Sequence, residues 1–103
     1  MTLDDVNALL KSTGLPVTYR AWPDGEVPPL PFICYLSPET DAFMADAQVY
    51  LTTMHVNIEL YTKLKDQIAE GKVEAALSSI HWHKTETYID TEKCYQILYE
   101  IEV

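Results

Sequence analysis

The segment HWHKTETYID, residues 81–90, contains the side chains best suited to chemistry. In an extended strand His81 and His83 point to the same side, because successive side chains alternate. Two imidazoles on one side can begin a zinc site, but zinc needs three or four ligands. The nearest carboxylate, Glu86, has the opposite parity, and His55 is the only other histidine. The segment therefore predicts a strand that follows a helix, not a metal site.

The sequence lacks the other residue patterns that support catalysis. Cys34 and Cys94 have no CxxC spacing and stand among apolar residues, which predicts two buried free thiols. The serines form no GxSxG elbow, and the three glycines form no phosphate-binding loop. Glu100 and Glu102 share one face of a strand, which we interpret as a solvated face. We therefore predict no enzyme activity and no cofactor, with no residue assigned to a catalytic, cofactor or metal site.

Charge and length restrict the class of protein. The chain has 103 residues, with 16 Asp and Glu against 7 Lys and Arg, and a formal net charge of -9. Such a charge repels nucleic-acid phosphates and anionic lipids, so neither nucleic-acid affinity nor membrane docking is expected. No apolar run approaches the roughly 20 residues of a membrane span, and the acidic N-terminus does not resemble a signal peptide. A single domain over residues 1–103 is expected.

The hydrophobic periodicity predicts two helices and five strands. The first helix covers residues 2–12 and begins with a capping pair, Thr2 and Asp5. The second begins at the N-cap Asp66, and its apolar face is predicted to consist of Ile68, Val73, Ala76, Leu77 and Ile80. The strands are predicted at 17–22, 32–37, 48–62, 83–89 and 94–103. The order α-β-β-β-α-β-β indicates an α+β fold, with the helices packed on a mostly antiparallel sheet.

The segment ETDAFMADA, residues 39–47, has no clear periodicity and is predicted to be an acidic loop after Pro38. It carries Phe43 and Met44, which either fold back onto the core or face a partner. We assign these two residues to a possible subunit interface. In the strand predicted at 48–62, Val49 and Leu51 have the opposite parity to the apolar residues from Met54 onward, which predicts a bulge or turn near Thr52–Thr53.

Three stretches, VNIELYTKLKD, KVEAAL and HKTETYIDTEKCYQILYEIEV, carry a resemblance to a known family. Together with LPFICYL they resemble small head-tail joining and tail-completion proteins of tailed bacteriophages and prophages, and they look like the tail terminators. The resemblance covers residues 28–103. It rests on the order of strand and helix motifs and not on a catalytic motif.

The resemblance implies a virion structural protein, assembled in the bacterial host cytoplasm. Tail terminators form rings, typically of six subunits, that cap the tail tube and present a surface to the head connector. Partners would therefore be further copies of the chain, the tail tube and the head connector. The alternative is a small acidic binding module that acts on a basic host protein.

Overall fold

The structure, a computed structural model, describes the backbone of residues 1–103 and the side chains of residues 1–48 and 51–103. The two helices are α1 (Leu3–Lys11) and α2 (Gln67–Ala76). The five strands are β1 (Val17–Tyr19), β2 (Phe32–Ala45), β3 (Gln48–Thr62), β4 (Trp82–Ile89) and β5 (Cys94–Glu102). The predicted element order and the α+β class are confirmed.

The five strands form one sheet in the order β1-β2-β3-β5-β4. Only β1 and β2 run parallel, and the other three neighbouring pairs are antiparallel. Both helices contribute to a core on one face of this sheet, whose fully buried side chains include Val6, Leu10, Ile33, Val56, Ile58, Leu60, Val73, Leu77 and Tyr99. The opposite face, here called the outer face, carries the odd-numbered residues of β3 and the residues that pair with them on the adjacent strands β2 and β5.

The local signals at the starts of both helices are confirmed. Thr2 Oγ1 accepts a hydrogen bond from the backbone N–H of Asp5, and the Asp5 carboxylate accepts one from the backbone N–H of Thr2. Asp66 caps α2 by accepting from the N–H of Ala69. Side chains at an N-cap satisfy N–H groups that have no partner within the helix, so the boundary can be predicted from few residues.

The predicted apolar face of α2 is wrong at its first position. Ile68 is exposed, and the buried stripe instead runs through Ala69, Val73 and Leu77 at intervals of four residues. An interval of five residues, from Ile68 to Val73, turns the helix well away from a shared face. The helix also ends at Ala76, earlier than expected.

The prediction that Pro38 ends β2 is also wrong. The strand continues to Ala45, and the register with β3 shifts between Leu36 and Glu39. A bulge of this kind leaves a residue outside the ladder, so a proline without an N–H is tolerated there. Beside it, the Ser37 hydroxyl donates to the carbonyl of His55 over 2.8 Å.

Residues 39–53 form a two-stranded extension, here called the arm. The ladder of β5 on β3 ends where Met54 and Val103 exchange backbone hydrogen bonds, and β1 pairs only with residues 33–35 of β2. In the backbone that the structure describes, the arm therefore has no third strand beside it. The expected bulge at Thr52–Thr53 is not there, because the register shifts instead between Phe43 and Met44.

Among the described residues, no helix combines the length and the apolar character that a membrane crossing requires.

Candidate functional site

The tip of the arm exposes three large apolar side chains. Phe43 is 62% exposed, Met44 55% and Leu51 63%. Phe43 pairs directly with Leu51 across the ribbon, so these two share the outer face. We call Phe43, Met44 and Leu51 the apolar tip. Clustered exposed apolar side chains of this kind are typical of surfaces that meet another molecule.

The sequence prediction placed Phe43 and Met44 in a loop, whereas both lie in β2. Neither folds back onto the core, and Leu51 joins them from the opposite strand. The turn between the strands has positive φ at both central residues, 50° at Asp46 and 62° at Ala47. Two positive φ values are the mark of a type I′ turn, which matches the twist of a two-stranded ribbon. The interface role of the tip stays a prediction.

Next to the arm, the outer face forms an open groove of about 590 Å³. It brings together all three histidines of the chain, His55, His81 and His83. The carboxylates that line it are Glu39, Glu100 and Glu102. We call it the histidine groove. The register explains the arrangement, because β3, β5 and β4 place these side chains beside one another.

His55 joins the arm to the body of the sheet. Its Nε2 lies 2.7 Å from Asp41 Oδ2 on the arm, and its Nδ1 lies 3.4 Å from Glu102 Oε1 on β5. The hydrogen bond to Asp41 is the main reason why the pKa of His55 is raised, and the charges of Glu102, Asp41 and Glu39 add to it against a smaller effect of burial. The imidazolium is thus favoured where the ribbon leaves the sheet.

Within the described residues, no group of three or more His, Cys, Asp and Glu side chains is arranged to hold a metal ion. Glu86, which the parity argument placed on the opposite face, binds Lys65 over 2.9 Å on the helix side of the sheet. The groove is a surface of alternating basic and acidic side chains that is open to a partner.

The two cysteines are buried free thiols, as predicted. Burial and the nearby Glu59 carboxylate raise the pKa of Cys34 to about 11, and burial also raises the pKa of Cys94. Both thiols are therefore protonated at neutral pH, and a protonated thiol is a weak nucleophile. They contribute packing volume to the sheet.

A second group of charges fixes α2 to the sheet. Glu70 is only 3% exposed, and its two carboxylate oxygens face Lys84 at 3.0 Å and Lys65 at 2.7 Å. The Lys65 ion pair falls short of hydrogen-bond geometry. Interactions with Glu70 and Glu86 raise the pKa of Lys65 to about 12. This cluster is fully occupied by its own members, so it serves the fold and leaves the arm and the groove as the candidate site.

No family model matches the chain, and no curated protein matches it.

Proposed function

We propose that the protein is a structural subunit that assembles with further copies of itself into a ring, and that the arm makes the contact between copies. The apolar tip is the observation that carries this proposal. A two-stranded ribbon in water is marginally stable, and this ribbon exposes Phe43, Met44 and Leu51. Contact with a neighbouring subunit would cover the tip and support the ribbon.

The resemblance of residues 28–103 gives the proposed ring a setting. It points to the neck of a tailed phage or prophage particle, as a tail terminator or a head-tail joining component. The partners would be the tail tube on one side and the head connector on the other. The formal net charge of -9 suits a ring through which DNA passes, since an acidic lining repels phosphate.

Native mass spectrometry over a concentration series tests the proposed assembly. The wild-type chain is expected to form one discrete oligomer, and the resemblance implies six copies. A variant with Met44→Gln and Leu51→Thr is expected to stay monomeric with an unchanged core. A wild-type chain that remains monomeric at every concentration would contradict the proposal.

The outer face favours a second candidate, an acidic module that binds a basic protein. In the described part of the sheet this face carries Glu39, Glu59, Glu100 and Glu102, with no lysine or arginine. This candidate predicts a monomer that forms a tight one-to-one complex with its partner. The concentration series therefore separates the two functions.

A further inference from the structure

A second groove lies at the end of the sheet where β3 leads into α2. It has a volume of about 350 Å³, and Leu30, Pro31 and Leu64 form its apolar lining. Lys63 and Lys65 stand at the same place. We call it the end groove. Leu64 is 73% exposed, and Ile68, four residues further on, is 77% exposed.

The charges of the arm and of the end groove are complementary. The arm contains Glu39, Asp41 and Asp46, and no lysine or arginine occurs between Arg20 and Lys63. The end groove is lined by Lys63, Lys65 and Asp66, and Lys65 is already paired with Glu70 and Glu86. Its positive charge toward a partner therefore comes from Lys63, and from Lys72 on the exposed surface of α2. Opposite charges around two apolar patches favour one docking partner over like-charged alternatives.

The two patches cannot meet within one molecule. Leu51 and Thr62 lie on the same strand, and at about 3.3 Å per residue they are roughly 36 Å apart. The longest dimension of the molecule is 51 Å. A straight strand holds the arm away from the end groove of its own chain, so a contact between them must join two copies.

We infer that the arm of one copy docks in the end groove of the next, with the apolar tip against Leu64. This inference rests on the proposed self-assembly and names the second surface that the assembly uses. Each copy then offers one arm and one end groove, which makes the contact heterologous. Heterologous contacts close into a ring when the rotation between copies allows it.

Two variants with unchanged net charge test the pairing by sedimentation velocity. The arm variant carries Met44→Gln and Leu51→Thr, and the groove variant carries Leu64→Gln and Ile68→Gln. Each is expected to need a roughly hundredfold higher concentration to assemble than the wild type. Val27→Gln is the matched control, because Val27 is equally exposed and belongs to neither patch.

The equimolar mixture of the two variants gives the sharper result. The arm variant keeps an end groove and the groove variant keeps an arm, so the mixture is expected to form dimers and nothing larger. Two outcomes overturn the inference while the proposed assembly stands: a groove variant that assembles like the wild type, or a mixture without dimers. A wild-type chain that never assembles overturns both.

Discussion

Glu70 is the residue on which the attachment of α2 to the sheet depends most. Its carboxylate is buried and faces two lysines, and Lys84 also binds Glu74 over 2.8 Å. Burial raises the pKa of Glu74, but hydrogen bonds from Lys84 and Tyr99 outweigh it and lower the pKa. The cluster thus favours the charged form of the Glu74 carboxylate on the edge of the core.

We predict that Glu70→Gln lowers the free energy of unfolding by about 2 kcal/mol, because the charged hydrogen bond from Lys84 and the ion pair with Lys65 are weakened in a buried place. Urea unfolding followed by circular dichroism measures the change. Glu86→Gln is the matched control, since Glu86 binds the same Lys65 from an exposed position and is expected to cost less than about 0.5 kcal/mol. Equal losses in the two variants would show that burial of Glu70 is not the cause.

His55 predicts a pH dependence of stability. Its pKa is raised in the folded protein, so its ion pairs contribute fully below the unfolded pKa of about 6.5 and are lost as the pH rises through the raised value. The partners are Asp41 and Glu102, with Glu39 nearby. We expect His55→Gln to lower the melting temperature more at about pH 5.5 than at about pH 8.5.

Differential scanning fluorimetry of both proteins at the two pH values tests this, with His81→Gln as the control from the same groove. A loss of the same size at both pH values would mean that packing of the His55 imidazole, and not its charge, stabilises the base of the arm.

The histidine groove shows what residue-level reasoning could and could not predict. A tight hairpin between the strands predicted at 83–89 and 94–103 pairs Ile89 with Cys94, and counting outward from there places His83 opposite Glu100. The pairing of His83 with Glu100 could therefore have been predicted from the sequence. The pairing of His55 with Glu102 joins strands far apart in the chain, so no local signal could have given it.

At the scale of elements, the arm is held by a turn with a strained residue. Ala47 has φ of 62°, a conformation that costs an L-residue roughly 1 kcal/mol. We predict that Ala47→Gly slows hydrogen exchange of the arm amides by a few-fold, because the relief of strain slightly exceeds the entropy that glycine loses.

Gly14→Ala makes the opposite change to Ala47→Gly, because it places an alanine where a glycine has a positive φ. Gly14 lies three residues after the last residue of α1 and has φ of 81°. No atom lies within 4 Å of the place that the alanine Cβ would occupy, so only backbone strain opposes the change. It is expected to destabilise the fold by about 1 kcal/mol.

For Ala47→Gly, faster hydrogen exchange of the arm amides than in the wild type would argue against the type I′ turn.

Local signals predicted the elements well where one or two residues set the boundary. The Thr2–Asp5 capping box and the exposed face of β5 that carries Glu100 and Glu102 are confirmed. The arm was not predicted because Pro38 is typical of a strand end. In addition, residues 39–44 are exposed on both faces, so no alternation between buried and exposed residues marks this part of the strand. Its conformation depends on pairing and on the turn.

For the whole molecule, the net charge of -9 governs how assembly responds to salt. The negative charges of neighbouring copies repel one another over long distances. Salt screens this repulsion, because the Debye length falls from about 30 Å at 0.01 M to about 8 Å at 0.15 M ionic strength. The short arm contacts are screened less. We therefore predict stronger assembly as salt rises over this range, measured by light scattering. Weaker assembly throughout would show that attraction between charges, not repulsion, dominates.

The proposed assembly depends above all on contact between the arm of one copy and another copy. A benzophenone-bearing amino acid in place of Leu51 tests this directly, with the same amino acid in place of Val27 as the control. Irradiation at an assembling concentration is expected to join two chains, with the adduct between residues 62 and 68 of the second copy. Adducts confined to the chain that carries the probe, or no more dimer than the control gives, would contradict the claim.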